Sequence, residues 1–215
     1  MKFLDLVKNS QKHFPDLKIK YKDSSSFMKF IGTLLFFNKR FMTSYTTTIG
    51  STVYFPNTSF VRTKPIASSI ILLHELVHIY DSKKFSNLLF SFLYLTPQIL
   101  ALLAVPFYFL IGWWSSLFLI LLLPLPSFFR MYFERRAYFT SLYVLYRLGK
   151  KLNFDPRLEE NKASFIKQFK NSSYYYMWIF NLDGSFEEAT QNILKGKTPF
   201  EDPVFNILDQ IIEDI

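Results

Sequence analysis

Two histidines four residues apart, with a glutamate directly after the first, form the run His74-Glu75-Leu76-Val77-His78. On a helix, residues i and i+4 share a face, so both imidazoles can reach one tetrahedral Zn2+. Glu75 then stands where a general base is needed to take a proton from water at the metal. The chain holds three histidines, and two of them lie in this run. It has no cysteine, which excludes thiolate ligands, disulfides and a thiol nucleophile. The third protein ligand is therefore His13 or a carboxylate.

The elements that must hold these residues are marked by pattern. The apolar run Ile70–Tyr80 around the histidines predicts a helix. Before it, Tyr45–Pro56 alternates and is rich in β-branched residues, which predicts a strand pair or one bent strand, and Leu17–Tyr21 alternates as another strand. Beyond the histidines, residues 85–129 contain no charged side chain. One span takes about 20 residues, so this stretch suits two: a transmembrane helical hairpin over roughly 86–106 and 111–129. The turn falls near Phe107–Gly112, with Trp113 and Trp114 as interfacial aromatics. A very apolar soluble bundle or a re-entrant pair is the alternative. Lys83 and Lys84 flank one end, Arg130, Arg135 and Arg136 flank the other, and the turn carries no Lys or Arg. By the positive-inside rule both ends, and the histidine run with them, face the cytoplasm.

After the uncharged stretch, Phe133-Glu134-Arg135-Arg136-Ala137-Tyr138 opens a helical pattern reaching Leu152, on which Glu134, Ala137 and Ser141 share a face. Small residues beside a carboxylate permit the close helix approach that a metal ligand requires. Pairing of Glu134 with Arg130, Arg135 or solvent is the ordinary alternative. Farther on, Asp155-Pro156 predicts a helix start running toward Lys170. Ser185–Glu188 reads as a capping box, Gly196 as that helix's stop, and Asp202-Pro203 as the start of a last amphipathic helix. The segment Phe30–Phe37 is too short to span and reads as a core or interfacial helix. Tyr174–Trp178 reads as core, with membrane or partner contact as the alternative.

A helix-borne His-Glu-x-x-His followed by Glu-x-x-Ala-Tyr resembles the zincin metallopeptidases whose third ligand is glutamate, the gluzincin pattern. The resemblance covers residues 45–82 and 130–142. It implies His74, His78 and Glu134 as zinc ligands, Glu75 as general base, and a small sheet whose edge strand aligns an extended polypeptide substrate. The chain departs from the pattern in two ways. Many gluzincins carry an aspartate four residues after the third ligand, where this chain has Tyr138, so Asp81 is left as the candidate to orient a zinc histidine. The second departure is the membrane-type insert between the ligand helices. The oxyanion that develops during hydrolysis needs one further donor, and Tyr80 and Tyr138 are chemically suited to it.

Composition agrees with this outline. The chain has 26 Phe and 13 Tyr and a formal net charge of +8. The basic residues flank apolar segments, which suits anionic lipid headgroups, and no basic patch interleaved with stacking aromatics points to nucleic acid. Asp5 and Lys8 interrupt the N-terminal residues before a secretory signal could develop. The expected fold is α+β: a zincin-like domain with a small β-sheet before the active-site helix (1–84), a two-helix transmembrane hairpin (85–129), and a helical part carrying the third ligand (130–215). The expected activity is that of a membrane-anchored zinc metalloendopeptidase acting on membrane-proximal polypeptide. A catalytically inactive zincin-like membrane scaffold, or a chance occurrence of the motif, is the competing reading. Oligomeric state is not encoded in any pattern visible here.

Overall fold

Residues 3–35, 38, 40–123, 125–171 and 177–214 are described in a computed structural model of the chain. Two long helices organise the fold. Helix α4 (Pro65–Phe85) begins at a proline, whose missing N–H falls where a helix has no acceptor for it. Helix α7 (Phe128–Leu152) is capped by the Ser127 hydroxyl and ends at Asn153 in the left-handed region. The two pack along each other, burying Leu72, Leu73, Leu76 and Val77 of α4 and Ala137, Leu142 and Val144 of α7 completely.

Helix α1 (Phe3–His13) leads into strand β1 (Lys18–Tyr21), and helix α2 (Ser26–Leu34) separates it from β2 (Thr47–Ile49) and β3 (Thr52–Phe55). The sheet order is β1-β3-β2. β1 runs parallel to β3 and β2 antiparallel to it, with Thr48 opposite Val53. The expected strand pair over 45–56 thus forms, turning at Gly50, whose φ of +56° an L side chain rarely adopts. A short α3 (Thr58–Thr63) then joins the sheet to α4. Helices α8 (Leu158–Lys170), α9 (Leu182–Leu194) and α10 (Val204–Glu213) cover the other side of α7. One hydrophobic core runs from Phe3 and Leu6 through α4 and α7 to Ile211 and Ile212. The parts expected at 1–84 and 130–215 therefore share a single core, interrupted in sequence by the uncharged stretch.

That stretch does not take the form of two regular helices over 86–106 and 111–129. After a break at Ser86, α5 (Asn87–Leu95) ends before Pro97; a 3-10 segment (Gln98–Leu103), α6 (Ala104–Ile111) and a second 3-10 segment (Gly112–Leu122) follow. The residues Gln98–Leu122 are long and apolar enough to cross a membrane, at a mean hydropathy of 1.9, and only 6% of that window is buried. The path folds back at Gly112, with φ +60°. The two 3-10 segments pack together, and Gln98 Nε2 donates to Leu123 O.

Two helix starts also differ from expectation. Asp155 Oδ1 accepts the Arg157 N–H, holding Arg157 at φ 42°, so α8 begins at Leu158 rather than at Pro156. Asn181 caps α9 through Gly184 N, which places Ser185 inside the helix, its hydroxyl donating to Asn181 O. Gly196, with φ +75°, lies just past that helix, and Asp202 Oδ1 accepts from Val204 N at the start of α10. Of the aromatic run, Tyr174–Tyr176 fall outside the described residues, Met177 is buried and Trp178 exposed; Phe36 and Phe37 also fall outside them.

One buried charge cluster holds α4, α7 and α10 in place. Arg136 donates through Nε and Nη2 to Asp81 at 3.2 and 3.0 Å, and through Nη2 to Asp202 at 3.0 Å. Removing Arg136 leaves the buried Asp81 without its cation, while Asp202 keeps Lys84 at 3.9 Å. Arg136→Ala is expected to lower the unfolding free energy by about 3–5 kcal/mol, read from denaturation of the detergent-solubilised protein followed by near-UV circular dichroism. A change under about 1 kcal/mol, the scale of an exposed pair, would contradict this role.

Candidate metal centre

The face of α4 that carries His74 and His78 meets the face of α7 that carries Glu134. His74 Nε2 lies 3.6 Å from Glu134 Oε2, and His78 Nε2 lies 3.6 Å from Glu134 Oε1. One donor atom from each of the three residues falls within 4.8 Å of the others. Donors each about 2.0–2.1 Å from one tetrahedral zinc stand about 3.4 Å apart, so the set requires only small side-chain adjustments. Two imidazoles and a carboxylate are also donors that zinc accepts. The residues fit the ion.

Ser141 sets the tautomer of His74. Its hydroxyl donates to Ala137 O at 3.1 Å, so its oxygen accepts from His74 Nδ1–H at 3.0 Å. With the proton on Nδ1, the Nε2 lone pair is turned toward Glu134. Asp81, the candidate from sequence for such a role, is turned to Arg136 instead. His78 Nδ1 is buried with no hydrogen-bond partner among the described residues. His13 ends α1 and is not part of the cluster.

Glu75 is as buried as His74 and His78, and its Oε2 accepts from the Thr48 hydroxyl at 2.7 Å. The alternating strand pair thus delivers a side chain from the edge strand β2 to the residue next to His74. Lys22, at the end of β1, is completely buried and donates to Phe41 O at 2.8 Å. Burial brings its ammonium pKa down to about 8, against the attraction of Glu75.

Tyr138 packs its ring edge-on against His74 with centroids 4.8 Å apart, while its hydroxyl donates to Gln168 Oε1 on α8 at 2.8 Å. Tyr80 is half-buried against the main core. The phenol that reaches a ligand is Tyr94, on α5, whose hydroxyl donates to Glu134 Oε1. Its ring and that of Phe90 flank His78. Sequence reasoning missed Tyr94 because it lies in the uncharged stretch, where side chains are read as lipid-facing. Its available signal was chemical: Tyr94 and Tyr108 are the only phenols in residues 85–129.

The charges here are mutually adjusted. Burial alone would raise the Glu134 pKa, but the facing imidazoles of His78 and His74 and the hydrogen bond from Tyr94 outweigh it and hold the carboxyl down at about 2. Burial pulls His74 down, yet the facing Glu134 and the charge of Glu75 leave it raised. Two buried carboxylates on two imidazoles make a point that attracts positive charge. The class this defines is a mostly helical protein with a small sheet and a buried two-histidine, one-glutamate donor set. No family model matches the chain, no curated protein matches it, and no solved structure matches it.

Loss of a hydrogen bond that orients a ligand weakens metal binding about 10–100-fold. Ser141→Ala is expected to do so for zinc, measured by competition with a chromophoric chelator. An unchanged affinity would show that Ser141 does not orient His74.

Proposed function

We propose that the protein is a membrane-associated zinc metallopeptidase acting on polypeptides at the cytoplasmic face of a bilayer. The observation that carries this reading is the convergence of His74, His78 and Glu134 beside a glutamate, Glu75, that is itself held from the edge strand by Thr48. Zinc bound by the three ligands would lower the pKa of a water to about 7 and polarise the scissile carbonyl.

The chain's own residues supply the rest. Glu75 takes a proton from the attacking water and delivers it to the leaving amine. Thr48 steadies one of its oxygens for that exchange. β2 is one of the sheet's two edges, so an extended polypeptide lying along it would meet main-chain partners two strands' width from β1 and next to Glu75. Tyr138 supports the site through its ring on His74; a donor role toward the oxyanion would need its hydroxyl to turn from Gln168.

Residues 98–122 are the membrane contact, in the form of a folded-back hairpin. Phe109 is 84% and Leu110 76% exposed, an apolar surface that belongs in lipid rather than water. Lys83 and Lys84 are exposed at the end of α4 and suit the anionic inner leaflet. Arg130 and Arg136 add less to that orientation than their charge suggests, since both are buried. The active-site helix passes into α5 with a single residue between, so the site lies close to the bilayer and its substrate is membrane-proximal. An inactive zincin-like scaffold is the weaker reading, because it has no use for a glutamate held as Glu75 is.

The test is Glu75→Gln in proteoliposomes, assayed on a quenched fluorogenic peptide library. Zinc content should match the unaltered protein while cleavage falls about 10²–10⁴-fold. Equal cleavage by both would remove Glu75 from the mechanism, and zinc-loaded unaltered protein without cleavage would favour the scaffold.

A further inference from the structure

The uncharged stretch is more than an anchor. We infer that Tyr94, contributed by the membrane-associated insert, is a positioning residue for the metal centre: it holds Glu134 so that the carboxylate presents Oε2 as the ligand oxygen. This inference rests on the zinc reading above.

Glu134 has two oxygens, each facing a different histidine at 3.6 Å. A carboxylate so placed could bind a cation through one oxygen or through both. The Tyr94 hydroxyl donates to Oε1, and an oxygen that accepts a phenolic proton is the weaker donor to a metal. Oε2, toward His74, is then the ligand oxygen, and Glu134 acts as a single-oxygen ligand that leaves a coordination position for water and substrate.

The phenol is itself held. Arg130 Nε donates to Tyr94 O at 3.1 Å and Arg130 Nη2 to Gln98 Oε1 at 3.1 Å, with the guanidinium 5.3 Å from the Tyr94 ring centre. The Ser127 hydroxyl donates to Thr96 O at 2.5 Å. Phe90, one turn before Tyr94, packs on Phe133 with ring centroids 4.7 Å apart. These contacts bind α5 to the start of α7, the helix that carries Glu134. The insert thus leaves α4, forms a wall of the metal centre, and only then enters its most apolar part.

The experiment compares unaltered protein with Tyr94→Phe, both in detergent, loaded with zinc or with Co2+. Unaltered protein should bind one metal per chain, and its Co2+ form should show the intense visible absorption of a four-coordinate site. Tyr94→Phe should bind zinc about 10–100-fold more weakly, with a weaker Co2+ band as Glu134 adds its second oxygen. A folded Tyr94→Phe with unchanged affinity and spectrum overturns the inference, even where the unaltered protein binds metal. Unaltered protein that binds no metal overturns the zinc reading itself. Should Tyr94→Phe fail to fold, Arg130→Lys keeps the phenol and loosens its support. An intermediate loss of affinity is then expected, and an unchanged Co2+ spectrum counts against the inference.

Discussion

Glu134 reaches the two histidines because Ala137 and Ser141, one and two turns farther along α7, present so little bulk that α7 lies directly against α4. Both are buried in that contact, and Ser141 uses it to bond His74. A larger side chain at either position would separate the helices and withdraw the carboxylate from the imidazoles. Placing two carboxylates and two imidazoles in such a contact costs several kcal/mol in lost hydration per charge unless opposite charge answers it. The hydrogen bonds donated by Thr48 and Tyr94 to the carboxylates, and the one Ser141 accepts from His74, offset part of that cost. A divalent cation at the centre would offset the remainder, which is the physical reason for reading the cluster as a metal site.

The elements around that contact each bring one piece to it. The edge strand brings Thr48 to Glu75. The insert brings Tyr94 to Glu134. Arg136, bound to Asp81 and Asp202, sets α7 against the second half of α4 and the start of α10. The last of these adds no atom to the three-residue cluster, but it fixes the same helix pair. Stability and site geometry are therefore coupled through α4 and α7, with one core running through both halves of the chain.

The convergence of His74, His78 and Glu134 was legible in the sequence because helical spacing puts the two histidines on one face, and Glu134 on a face with two small residues. The strands over 45–56 were legible from a period of two, which left a strand pair and one bent strand both open; the turn at Gly50 that makes them a pair was not singled out. The partners of the ligands were less visible. Ser141 stood out for its size and not for its oxygen, and Asp81 accepts its hydrogen bonds from Arg136, reaching His78 only through its charge. Tyr94 was hidden by its surroundings, since hydropathy averages over a window and cannot mark a side chain within it that turns toward the metal centre. The shape of the insert was equally hidden. The uncharged pattern predicted two helices over 86–106 and 111–129, and hydropathy alone could not show that short 3-10 segments would pack back on each other.

The most direct test of the account is the zinc content of detergent-purified protein, set beside Glu134→Ala and the His74→Ala/His78→Ala double variant. The account predicts one zinc per chain in the unaltered protein and none in either variant. Folded unaltered protein that stays free of stoichiometric zinc after reconstitution, or a Glu134→Ala that retains its zinc, would contradict it.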